Sequence, residues 1–184
     1  MPDNYLQSAQ KQFQYYKLLG DKTISQLSDE DLFWQYNADS NSIAIIVKHL
    51  WGNMLSRWTD FLTTDGEKEW RKRDAEFEAD FNNREELLAK WEEGWKCLFT
   101  ALESINETNF EQLIYIRNQG HTITEAVNRQ MMHYAYHVGQ MVYLGKMLKE
   151  EEWQSLSIPK GGSKAYNLDK FSKDKHQGHF TEDL

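Results

Sequence analysis

Proline is nearly absent from this chain of 184 residues: only Pro2 and Pro159 occur, so everything between them lacks the strongest helix breaker. Cysteine is scarcer still. A single thiol, Cys97, excludes an internal disulfide and a thiolate zinc cluster. There is no long apolar run, the longest aliphatic stretch being Ile43 to Val47, far too short to span a bilayer. There is no excess of basic charge either. Lys and Arg number 21 against 29 Asp and Glu, a net charge of -8 that disfavours duplex nucleic acid and anionic membrane as partners. The opening Met1-Pro2-Asp3-Asn4 has neither a basic nor an apolar segment of secretory type, and a cytoplasmic protein is expected. Gly-rich phosphate cradles are missing as well.

What the chain does have is aromatic and apolar residues at helical spacing. Leu6, Ala9, Phe13, Tyr16 and Leu19 predict a helix from about Tyr5 to Leu19, with Gly20 as its stop. Ser28 and Asp31 predict a short capped turn. Ile43, Ile46, Val47, Leu50, Met54, Trp58 and Phe61 share one face of a second long helix, about Ser42 to Leu62. Leu88, Trp91, Trp95, Leu98, Leu102 and Ile105 form the seam of a third, about Arg84 to Ile105. The capping box Thr122-x-x-Glu125 opens a fourth, which runs to about Glu150. Between the second and third, residues 65–84 alternate in charge around Trp70, Phe77 and Phe81, which predicts a structured crossover with a solvated, salt-bridged surface. Phe110 to Ile116 suits a short extended piece.

The expected fold is therefore all-α: a four-helix bundle, up-down-down-up because of the long crossover, occupying residues 1–165. Residues 166–184 form an irregular, flexible tail in this reading.

Six histidines carry the chemistry worth weighing. His133 and His137 stand four apart on the fourth helix, so both rings leave one face a turn apart and suit a shared divalent metal. Two partly exposed histidines on a helix edge would show the same spacing. A further ligand is needed, and His49 on the second helix is the best candidate. A helical wheel groups His49 with Asn53 and Asp60 on the more polar side. That position suits a solvated histidine, and equally a stripe of His49, Asn53 and Arg57 at the mouth of a bundle; the wheel does not choose. His121 precedes a helix start and is a loop residue or a further lining group. His176 and His179 lie in the tail. Cys97 sits beside core-facing Leu98, where burial makes a thiol inert. Asn53 and Gln140 are candidates to bond a ligand or hold a histidine's second nitrogen.

The stretch Asn41 to Leu50, together with His133-Tyr134-Ala135-Tyr136-His137-Val138-Gly139-Gln140, resembles the DinB/YfiT-like superfamily of bacterial four-helix bundles. Asp65-Gly66-Glu67, Trp70 to Asp74 and Ser157-Ile158-Pro159-Lys160-Gly161 resemble an uncharacterised branch of it. The resemblance implies a divalent metal, zinc or nickel, on His49, His133 and His137, with relatives that are thiol-dependent transferases or isomerases. It also implies a homodimer. The expected function is a metal-dependent enzyme acting on a small molecule, an S-transferase using a low-molecular-weight thiol or a hydrolase. The competing expectation is a non-catalytic metal- or ligand-binding bundle. A fourth side-chain ligand, His121 or Asp60, would close the site and favour that second outcome.

Overall fold

A computed structural model describes residues 2–78, 80, 81 and 83–183. Met1 of the opening segment, Ala79 and Asn82 of the charged crossover, and Leu184 of the tail lie outside the described residues.

The chain is mostly helical. In order come α1 (Pro2–Gln26), α2 (Asp29–Phe33), α3 (Ile43–Trp58), α4 (Arg84–Glu103), strands β1 (Leu113–Ile116) and β2 (Gln119–Thr122), α5 (Ile123–Lys149) and α6 (Ser163–Phe171). Single 3-10 turns occupy Asp74–Phe77, Glu150–Glu152 and Phe180–Asp183. Helix α3 packs against α4 and α1 against α5, while α3 also meets α5 and α1 meets α4.

Local signals account for the starts. Ser28 and Thr122 each close a capping box, with Asp31 and Glu125 as the returning carboxylates. Ser42 accepts the Ile45 N–H at the head of α3, and Asn83 accepts that of Glu86 at the head of α4.

Two helix ends need correction. Gly20 does not end the first helix, which continues to Gln26. The glycine serves close packing instead: a Cβ there would lie 2.4 Å from the Trp91 ring. Helix α3 ends at Trp58, four residues early: Thr59 turns extended, with ψ of 123°, and Asp60 follows at a positive φ of 47°. The all-α expectation fits broadly, with a small two-stranded sheet added. Leu113–Ile116 pairs antiparallel with Gln119–Thr122, joined by Arg117 and Asn118, whose φ values of 55° and 60° make the tight hairpin turn. Short helix α6 lies where no element was expected, and beyond it Phe180 packs edge-on against Tyr15 of α1.

The core gathers Phe13, Leu50, Met54, Trp91, Trp95, Tyr134 and Val138. Helix α3 is buried almost all round, as expected of a helix wrapped by neighbours on every side. That burial carries polar residues inward with the apolar ones: His49 is 4% exposed, Asn53 5% and Arg57 6%.

Candidate metal centre

His49 comes from α3, and His133 and His137 from successive turns of α5. One ring nitrogen from each falls within 4.8 Å of the others. The Nε2 atoms of His49 and His133 are 3.2 Å apart. Two nitrogens on a tetrahedral ion, each about 2.0–2.1 Å from it, stand about 3.3 Å apart, so the spacing suits a shared metal. The residues that packing brings together are thus the three expected as ligands, with His49 and His137 buried and His133 half-buried. The solvated alternative for His49 does not describe this fold.

Each of two rings is held from behind. His49 Nδ1 lies 2.9 Å from Glu76 Oε2, and His137 Nδ1 lies 2.9 Å from Gln140 Oε1. Both partners accept, so both rings donate from Nδ1 and direct the Nε2 lone pair into the cluster. Metal-binding histidines are characteristically oriented in this way. His49 also stacks on Phe77, with centroids 4.8 Å apart.

Glu76 is the hub behind His49, and its role was not visible in the sequence. Its Oε1 accepts from Arg71 Nε at 2.7 Å and its Oε2 from Arg71 Nη2 at 3.0 Å. Burial pushes this carboxyl upward in pKa, but the hydrogen bonds from His49 and Arg71 and the arginine's charge outweigh it and leave the pKa lowered. Arg71 itself has a side chain only 2% exposed. The segment Trp70 to Asp74 is therefore not simply a solvated surface: Trp70 faces solvent at 56% exposure while its neighbour Arg71 points in.

Burial, then the neighbouring His137 and His49, lowers the pKa of His133 to about 3. Burial, then His49, lowers that of His137 to about 4 despite the hydrogen bond to Gln140. Both imidazoles are neutral at pH 7, the form that binds a metal.

The cluster opens onto a cavity of about 390 Å³, whose wall includes Asn53, Arg57, Gln130 and Tyr136 as well as the histidines. Asn53 accepts from Tyr134 Oη at 3.2 Å, and that hydroxyl accepts from Trp58 Nε1 at 3.0 Å. Arg57 donates to Gly66 O and, at 3.1 Å, to Glu67. Burial, then the charge of Arg71, lowers its pKa. Arg57 Nε and Gln130 Oε1 are buried polar atoms with no partner among the described residues.

The other candidates lie elsewhere. His121, on β2, makes a 2.8 Å contact from Nδ1 to Gln119 O, and its Nε2 accepts from Arg129 at 3.0 Å. Asp60 lines a separate groove of about 590 Å³ with Cys97, whose thiol burial pushes upward in pKa. Neither joins the three histidines as a fourth ligand. His179 contacts Ser8 at 3.1 Å on α1.

Comparison with protein families finds one described as protein of unknown function (DUF1572), whose model matches residues 1–162. The chain belongs to that family. Among curated proteins and among solved structures, no match to this DUF1572 member is found.

Proposed function

We propose that this DUF1572 protein is a divalent-metal-dependent enzyme acting on a small molecule, with His49, His133 and His137 as the metal ligands. The observation that carries this reading is the convergence of three imidazole nitrogens from two helices, within 4.8 Å of one another, at the wall of a cavity. Three protein ligands without a fourth side chain are the pattern of catalytic rather than structural zinc sites. When bound, a zinc or nickel ion would supply Lewis acidity and a template for a substrate or a low-molecular-weight thiol. The chain's own residues do the rest. Glu76 and Gln140 hold two rings in the tautomer that directs Nε2 inward, and Asn53 and Tyr136 line the space a substrate would enter.

In this reading the family is a branch of the DinB-like superfamily, and α1, α3, α4 and α5 form its up-down-down-up bundle. Support comes from the closed ring of helix contacts and from the long connection, residues 59–83, between α3 and α4. No helix among the described residues is long and apolar enough to cross a membrane. Met132, Tyr136, Tyr143 and Met147 form an exposed stripe along α5, which supports a homodimer.

The test is metal analysis of protein purified without a histidine tag. Wild type should retain about one divalent ion per chain, as a single site requires. His137→Ala should lose it while keeping its helical circular dichroism. Equal metal content in the two proteins would remove His137 from the ligand set and leave a binding bundle without this centre.

A further inference from the structure

The sequence contains six arginines, and five of them line the cavity beside the histidines: Arg57, Arg71, Arg73, Arg117 and Arg129. None of the fifteen lysines does, and neither does any Asp or Glu among the described residues. In a chain of net charge -8, such segregation is not a by-product of a basic composition.

Structural ion pairing explains part of it. Arg71 pairs with Glu76 and, at 3.3 Å, with Glu67, while Arg57 donates to Gly66 O and to Glu67. Glu67 is shared again with Arg117, at 3.2 Å. Two carboxylates thus pair directly with three of the five guanidinium groups, and Asp65, whose charge also acts on Arg57, leaves a net of about +2 around the space. Arg73 lies over the Phe77 ring at 5.3 Å and forms no ion pair among the described residues. Arg129 donates to His121, which brings no negative charge.

Position divides the five. Arg57 and Arg71 are in the inner wall, whereas Arg73, Arg117 and Arg129 are exposed at the rim. Two of the rim groups are set in place by backbone. Arg117 occupies the hairpin turn, where Asp65 accepts the N–H of Arg117 and of Asn118 at 2.8 Å each. Arg129 stands one helical turn before His133, so Arg129, His133 and His137 follow one another down the same face of α5. A guanidinium presents a planar fork that fits two oxygens of a carboxylate or phosphate, a match that an ammonium cannot make. The volume of about 390 Å³ admits a small molecule.

We infer that the cavity takes a small organic anion whose carboxylate or phosphate group is held by Arg73, Arg117 and Arg129, with the rest of the molecule directed toward the three histidines. This names the substrate class of the site proposed above and rests on that reading for its catalytic meaning; the anion site itself needs only the arginines.

Calorimetry on the full chain separates the two. Metal-free wild type, prepared with a chelator and dialysed, is titrated with inorganic phosphate and with succinate, and the titrations are repeated after loading with zinc. Saturable binding of at least one probe to the metal-free protein is expected, and the probe that binds distinguishes a phosphate from a carboxylate ligand. Arg117→Gln and Arg129→Gln should each weaken it about tenfold or more, the loss expected for one charge-assisted hydrogen bond. Lys146→Gln, on the same helix but outside the cavity, should leave it unchanged. Binding by a protein that takes up no zinc supports the anion site while removing the metal reading. Binding that appears only with zinc and survives both arginine substitutions overturns the anion site and leaves the metal reading standing. Absence of saturable binding in either form overturns it too.

Discussion

Gly52→Ala offers a sharp perturbation of the centre, because it changes no ligand and adds one methyl group. Gly52 lies on α3, one turn beyond His49, and a Cβ there would stand 2.4 Å from Glu76 Oε1 and 2.8 Å from its Cδ. The carboxylate cannot swing aside freely. Its two oxygens hold Arg71 at 2.7 and 3.0 Å and His49 at 2.9 Å, all in a buried setting. Ala for Gly inside a helix is ordinarily favourable by about 0.5–1 kcal/mol. Displacing Glu76 takes the acceptor from His49 Nδ1 and leaves the buried Arg71 with only its 3.3 Å pairing to Glu67, a loss of up to about 3–5 kcal/mol. The second effect wins, and a net destabilisation of about 2–4 kcal/mol is expected, a fall in Tm of roughly 5–15 °C for a chain of this size. Metal affinity should fall about 10- to 100-fold as His49 loses its brace. Gly139→Ala is the internal standard: its Cβ would meet nothing within 4 Å, so it should only gain. Thermal melts and competition with a chromophoric chelator read both quantities. If Gly52→Ala matches Gly139→Ala in stability and metal affinity, the account of Glu76 as the hub behind His49 is wrong.

Tyr134→Phe removes the buried hydroxyl that links Trp58 Nε1 to Asn53. Urea denaturation should show a loss of about 1–3 kcal/mol, and an unchanged midpoint would count against the linkage. For the assembly, light scattering should give a dimer mass for wild type and a monomer mass for a Tyr143→Lys, Met147→Lys double variant that still binds metal. A monomeric wild type would rule out pairing through the α5 stripe.

How legible the centre was depended on the range of the contacts. His133 and His137 were visible as a pair because helical geometry alone sets their relation. The same spacing extends back to Arg129, whose guanidinium is no metal ligand but shares the face of the two histidines. His49 stayed ambiguous on the wheel, since a wheel reports which residues share a face and not how many neighbours cover the helix. In the fold α3 is enclosed, and the polar side that resembled a solvent face becomes a cavity wall. Arg71 and Glu76 were invisible for a related reason. Alternating charge suggests solvation by default, and only the path of the crossover beneath α3 turns those two residues inward.

The one-dimensional pattern determined the helices, their capped starts and the chain's acidity, because each depends on neighbours within a few residues along the chain. Even there Gly20 misled: local propensity favours a stop, but contact with Trp91, 71 residues away, uses the glycine for close approach within a continuing helix. The tertiary structure decided which polar groups lost their water. Burial of a charge or an imidazole is set by all the elements packed around it, so the braced histidines and the arginine-lined cavity exist only once α3, α5, the crossover and the hairpin have met.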